Sequence, residues 1–279
     1  MVLIKQLKDS HSWLLGIHCA SHRLELAIKD SLMKNAHFKE LHDFLVVIYY
    51  TFKKSGKLKG EFKRIGEVLG VDVKVMPKVH GTRFVTHQLR GLSALIHNWA
   101  MLCHCFENCI ADTGYRPIKA KLSGLLKKLK DYRLLVRCLF FHQLLQPISS
   151  LSLKLEEQAL CYFDLPLAVE SAFIDIDELK ITEFEVILSK SKITSSSSET
   201  SWELLKQGHA RLSSEKRQNT TLSVAMNHTS KESAATHLQS LKDLLEDVKS
   251  NMKKRLYLPE QDSKLLAAMN FVDPAKWGR

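Results

Sequence analysis

Glycine and proline are scarce in this sequence, with 11 and 6 among 279 residues. A β-protein with many turns uses both residues often, whereas long stretches without them favour helices. No stretch reaches the roughly 18 uncharged apolar residues that a membrane-spanning helix needs. Residues 1–5 are too short and too charged for a signal peptide. We therefore predict a mainly α-helical protein with no membrane partner.

Cysteines are few, and their spacing differs from that of a secreted disulfide scaffold. The six are Cys19, Cys103, Cys105, Cys109, Cys138 and Cys161. Reduced thiols in a cytosolic or nuclear protein are the expected state. Cys105 and Cys109 are four residues apart and share a helix face, so we expect them to pack as small apolar side chains.

Positive charge is concentrated in the first half of the chain. Residues 1–140 hold 24 lysines and arginines against 11 acidic residues, and residues 141–279 hold 17 against 19. A net charge of +11 with this distribution favours a surface that faces a polyanion such as the phosphate backbone of DNA. The alternative is a solvated cationic surface without a partner.

One helix in that half has a strongly basic face. Leucines repeat on its opposite side, which is the pattern of an amphipathic helix. The lysines are Lys119, Lys121, Lys127, Lys128 and Lys130. We take the first four as candidate DNA contacts, with ordinary solvated amphipathicity as the alternative.

Apolar residues recur at helical spacing along most of the chain. The predicted helices span residues 38–54, 57–69, 85–111, 119–130, 132–155, 165–189, 202–212 and 231–256. Residues 13–18 predict one short strand, and Pro147 predicts a kink inside its helix. Four consecutive serines at 195–198 and a polar stretch at 213–230 predict a mobile linker.

Two motifs carry the functional prediction. The first is HCASHRLELA at residues 18–27, where the predicted strand delivers Cys19 and His22 to the start of an amphipathic helix. The second is GTRF at residues 81–84.

These motifs resemble those of the hAT (hobo/Activator) superfamily of transposases, and most of all its domesticated zinc-finger-linked copies in vertebrates. In that family, a strand ending in this first motif closes an RNase H-like core and opens a large helical insertion. A Thr-Arg-Trp turn then contacts DNA. Four positions match, namely Cys19, His22, Thr82 and Arg83, and Phe84 stands where the family has Trp. The resemblance implies a mainly α fold: a helical insertion domain with a short strand remnant of an RNase H-like core.

The resemblance also implies what catalysis would require. Active transposases of this kind use Asp, Asp and Glu to hold divalent cations. In the family's order, those positions fall before residue 1 and after residue 279. Asp9 lies near the second position but lacks the surrounding motif. We therefore expect a truncated fragment that is not an enzyme and binds neither a metal nor another cofactor.

The same resemblance divides the chain into four parts. They are a core remnant at 1–34, the insertion domain at 35–194, a linker at 195–230, and a C-terminal helix with its tail at 231–279. A lone strand has no sheet partner, and its free edge favours self-association or pairing with a protein partner.

Cys19 and His22 have three interpretations. A catalytic Cys–His pair is disfavoured, because nothing in the sequence orients the histidine or builds an oxyanion site. A zinc site needs about four ligands in tetrahedral geometry, and this pair supplies two. The preferred interpretation is structural: Cys19 packs as a small apolar side chain, and His22 caps or hydrogen-bonds the first helical turn.

Arg83 and Phe84 are the strongest candidates for contact with DNA. Arginine donates in a fork to phosphate, and an aromatic ring can stack on an unpaired base. The alternative is that Phe84 packs as a hydrophobic staple at the start of its helix.

Together these features predict a non-enzymatic nuclear protein that contacts DNA weakly, without sequence preference, through its basic N-terminal half. The alternatives are a structural or protein-interaction module without DNA binding, and a non-functional truncated gene product.

Overall fold

The computed structural model of this protein describes residues 6–7, 9–11, 19–69, 72–156, 164–179 and 234–257. These residues are mainly helical and include no β-strand, so the prediction of a mainly α protein is confirmed. The strand predicted at 13–18, the linker at 195–230 and the helix predicted at 202–212 lie outside the described residues.

The helices follow one another closely. In chain order they are α1 (Ala20–Leu32), α2 (Ala36–Lys54), α3 (Gly56–Leu69), α4 (Phe84–His97), α5 (Trp99–Ala111), a 3₁₀ helix (Thr113–Ile118), α6 (Lys119–Leu129), α7 (Tyr132–Lys154), α8 (Leu165–Asp177) and α9 (Ala234–Leu256). Local caps begin some of them. Asn35 accepts the Phe38 N–H at 3.0 Å before α2, and Asp131 accepts the Arg133 N–H at 3.0 Å before α7.

The prediction of one long helix over residues 85–111 was wrong, because the chain breaks it at Asn98. The Asn98 side chain accepts the Lys74 N–H at 3.0 Å and donates to the Lys74 carbonyl at 2.6 Å. It is therefore bonded to a segment 24 residues earlier, and its backbone leaves the helical conformation. The prediction of one continuous helix over 165–189 was also wrong, because α8 ends at Asp177, and residues 180–189 lie outside the described residues.

The core surrounds α7. This helix packs along α4 and also touches α1, α2, α6 and α8. Its fully buried side chains are Val136, Cys138, Phe140, Phe141, Leu144, Leu145 and Ile148. Within the described part of the chain, Arg133–Lys154 alone has the length and apolar composition of a membrane span, and 67% of its most apolar window is buried in the protein. α7 is thus the central helix of this fold.

Residues 72–83, here called the strap, cross the outside of α4. The buried Gln88 of α4 donates to the Val79 carbonyl at 3.0 Å, and the His97 ring bonds the Asp72 carbonyl at 2.8 Å. Gly91 lies where the strap passes closest, because a Cβ built there would approach the Val79 Cγ1 to 2.5 Å. The strap therefore fixes the path of the chain into the Thr82-Arg83-Phe84 motif.

The first and last described helices pack against each other. Asn251 of α9 donates to the Ser31 hydroxyl of α1 at 2.7 Å, and Arg255 pairs with Asp30. The Arg23 guanidinium donates to the Tyr257 carbonyl at 3.4 Å. Segments assigned from the sequence to the first and fourth parts of the chain are thus neighbours in space.

Candidate nucleic-acid interface

The two sequence motifs meet at the start of α4. Glu25, within the first motif, points from α1 to the second motif, where its Oε2 accepts the Val85 N–H at 2.8 Å. Glu25 is 6% exposed. Free N–H groups at a helix start need acceptors, so a carboxylate from α1 caps α4 across 60 residues of sequence.

Burial raises the pKa of the Glu25 carboxyl above its usual value, and the nearby Glu156 carboxylate raises it further. The N–H groups of Val85 and Phe84 act in the opposite direction. Its Oε1 is buried and finds no hydrogen-bond partner among the described residues. The surroundings of the Glu25 carboxyl therefore favour its neutral form more than water does.

Glu156, just after α7, accepts from Arg83 and Ser21 at the same junction. The Arg83 Nη2 lies 3.1 Å from its Oε2, and the Ser21 hydroxyl lies 3.3 Å from its Oε1. The Arg83 side chain remains 64% exposed. A phosphate that binds Arg83 would compete with this ion pair, which is partly exposed and therefore weak.

Phe84 lies in the core. It is 7% exposed, and its ring centroid lies 6.0 Å from that of Phe38 and 6.4 Å from that of His42. This is the placement expected for a hydrophobic side chain that anchors the helix start. The stacking role predicted for Phe84 needs an open ring face, which this position does not offer.

Cys19, His22 and Thr82 are exposed. The interpretation that Cys19 packs as a small apolar side chain was wrong, because the buried face of α1 is formed further along by residues such as Leu24 and Ile28. Cys19 occupies the N-cap position without a capping side-chain bond. No three His, Cys, Asp or Glu residues in the described ranges could together hold a metal ion.

The basic face of α6 is directed to solvent. Lys119, Lys121, Lys127 and Lys128 are all exposed, whereas Leu122, Leu125 and Leu129 on the other side are buried. Lys128 pairs with Glu40 at 3.2 Å, and Lys130, which is less exposed, pairs with Glu107 at 2.7 Å. Lys119, Lys121 and Lys127 form no ion pair with any other described residue.

Four cysteines of the described residues are buried, three of them on α5 and one on α7. Cys103, Cys105, Cys109 and Cys138 are buried, and Cys161 lies outside the described residues. Burial raises the pKa of the Cys103 thiol to about 12, and it raises the pKa values of the other three as well. These thiols are protonated at neutral pH and are therefore poor nucleophiles and metal ligands.

Sequence reasoning missed Glu25 and Glu156. A signal for Glu25 was present, since it falls on the stripe Ser21, Glu25, Ile28 and Leu32 that α1 buries. A carboxylate on such a stripe needs a buried partner, and its partner here is a helix start. Glu156 gave no comparable signal.

No family model matches the chain, and no solved structure matches it.

Proposed function

We propose that this chain is a nuclear, non-enzymatic nucleic-acid-binding protein of hAT-transposase type that contacts DNA through its basic N-terminal half. The family and the nuclear location are proposed from the resemblance of the two motifs to those of hAT transposases. The DNA-contacting surface is proposed from the concentration of positive charge in the N-terminal half.

The exposed, unpaired lysines of α6 carry the proposal. Lys119, Lys121 and Lys127 have no carboxylate partner among the described residues, so their charge is available to an incoming polyanion. Binding of lysines to DNA phosphates releases condensed cations, which is favourable at low salt. Arg83 adds a forked donor once it leaves Glu156.

A salt titration tests the proposal. Fluorescence anisotropy with a labelled duplex should give a log affinity that falls linearly with log salt, by about 0.9 for each phosphate neutralised. Replacing Lys119, Lys121 and Lys127 with Gln should lower the affinity and flatten that slope. The control replaces Lys242, Lys253 and Lys254 of α9, which are also exposed, and so removes the same charge elsewhere.

Two results would contradict the proposal. One is the absence of binding, or binding that salt does not change. The other is an equal loss in both triple variants, because net charge alone would then explain the affinity.

A specific observation favours the alternative of a protein-interaction module. Leu167 and Ile174 of α8 are 75% and 60% exposed, and seven residues place them on one helix face. Replacing both with Lys should abolish self-association, measured by light scattering, if this face binds a second copy. Unchanged association would remove the support for that alternative.

A further inference from the structure

A row of partly exposed rings lies beside the strap. Tyr49 and Tyr50 lie in the last two turns of α2 and are half-buried, and their ring centroids are 5.2 Å apart. The Tyr50 centroid lies 6.1 Å from that of His80 on the strap, with the two planes inclined by 32°. The row continues inward from His80 to His42 at 6.0 Å and from His42 to Phe84 at 6.4 Å. It therefore joins the surface of α2 to the second sequence motif.

Lysines accompany these rings. The Lys53 ammonium lies 5.7 Å from the Tyr49 ring centroid, and the Lys54 ammonium lies 5.9 Å from that of Tyr50. Lys78 precedes His80 on the strap and is exposed. None of the three forms an ion pair with another described residue. We call these six residues the tyrosine platform: Tyr49, Tyr50, His80, Lys53, Lys54 and Lys78.

We infer that the tyrosine platform binds unpaired nucleotides of single-stranded nucleic acid. Aromatic side chains stack on base faces, and those faces are open only when a base is unpaired. Lysines next to the rings supply positive charge that can pair with the phosphate backbone. The inference rests on the proposed function and assigns it a ligand class and a second surface.

The chemistry of His80 suits this role. Burial lowers the pKa of the His80 ring, and electrostatic interactions with His42, Lys78 and His87 lower it further, so the neutral ring is favoured. A neutral ring loses less hydration than an imidazolium when a base covers it.

Arg83 lies close to the tyrosine platform in the sequence. Arg83 is three residues after His80 in the sequence, so their Cα atoms are at most about 11 Å apart. Gly81 and Thr82 between them are exposed. A strand stacked on the tyrosines would therefore reach the Arg83 guanidinium within a few nucleotides.

The test compares two probes on the full chain by fluorescence anisotropy: a labelled oligothymidine and a duplex with the same number of phosphates. Tyr49→Leu with Tyr50→Leu keeps apolar volume and removes the stacking faces. We expect this variant to lose about tenfold or more in affinity for oligothymidine and little for the duplex. Lys119→Gln with Lys121→Gln is the control and should weaken both probes alike.

The outcomes separate the two proposals. If the unmodified chain binds neither probe at low salt, the proposed function fails. If it binds both but the tyrosine variant retains its affinity for oligothymidine, only the platform is overturned. An equal loss on both probes would also overturn it, as would displacement of oligothymidine by polyglutamate as efficiently as by unlabelled oligothymidine.

A second measurement needs no variant, and so it holds even if the double substitution unfolds the chain. An oligonucleotide carrying 5-iododeoxyuridine is cross-linked to the unmodified protein by light, and the attached peptides are mapped. Cross-links at Tyr49, Tyr50 or His80 are the expected result. Cross-links confined to other residues would overturn the inference.

Discussion

Helices α4 and α6 are both amphipathic and both belong to the basic half of the chain, but different forces position them. α4 is capped by Glu25 from a distant helix and crossed by the strap at Gly91. α6 buries leucines on one side and exposes lysines on the other. The position of α4 depends on contacts with distant parts of the chain. The orientation of α6 follows from its own alternation of leucines and lysines around the helix. Glu25 and Phe84 near α4 consequently have structural roles, whereas Lys119, Lys121 and Lys127 of α6 are exposed and form no ion pair with a described residue.

The largest expected effect comes from removing the remote cap. Glu25→Ala should lower the free energy of unfolding by about 2–3 kcal/mol, because buried N–H groups at the start of α4 lose their acceptor. Asn35→Ala, which removes the local cap of α2, should cost about 1 kcal/mol. Urea denaturation followed by circular dichroism measures both. If Glu25→Ala costs no more than Asn35→Ala, the cap does not hold α4 in place.

A Gly→Ala substitution should change the free energy of unfolding in opposite directions in the two helices. Gly91→Ala in α4 should destabilise by about 1–2 kcal/mol, because the new methyl group meets the buried Val79 and overpacking outweighs the gain in helix propensity. Gly124→Ala in α6 meets nothing within 4 Å. It should stabilise by up to about 1 kcal/mol. Shifts of the same sign in the urea midpoints would refute the contrast.

The Glu25 cap should also make stability depend on pH. Its pKa is raised from an ordinary value of 4.5, so the folded state holds the proton more tightly than the unfolded state. The stability from this group is therefore complete below pH 4.5 and is lost as pH rises through the folded pKa. Relative to Glu25→Gln, the unmodified chain should melt at a higher temperature at pH 5 than at pH 8. A constant difference between the two proteins would contradict this sign.

The smallest expected effect is on DNA affinity and concerns Arg83 at the start of α4. Glu156→Gln should release Arg83 and strengthen duplex binding by up to about fivefold, since exposed ion pairs are worth no more than about 1 kcal/mol. Glu107→Gln is the matched control in α5, because it changes the net charge equally and releases Lys130. Anisotropy at one salt concentration compares them. An equal gain in both would show that Arg83 has no special place in binding.

The same contrast explains what the sequence could predict. The repeats of α2, α3 and α6 are local, and the predicted helices agree with the observed ones within a few residues. The break at Asn98 depends on a bond to Lys74, and the burial of Phe84 depends on Phe38, so neither is visible in a short window. The exposure of Cys19 reflects where α1 enters the fold. Motif residues could be picked out from sequence, and the place of Glu25 on the buried stripe of α1 signals a buried partner. That this partner is the start of α4 is visible only in the structure.

The packing of α1 against α9 has a consequence for synthesis. About 200 residues separate the two helices, and translation at about 5–20 residues per second needs roughly 10–40 s to produce them. Throughout that interval, the nascent chain presents the side of α1 that will face α9, including Ser31, without its partner. α1 can therefore complete its packing only after α9 has been synthesised, and a chaperone that shields apolar helices has that interval to act on the emerging chain.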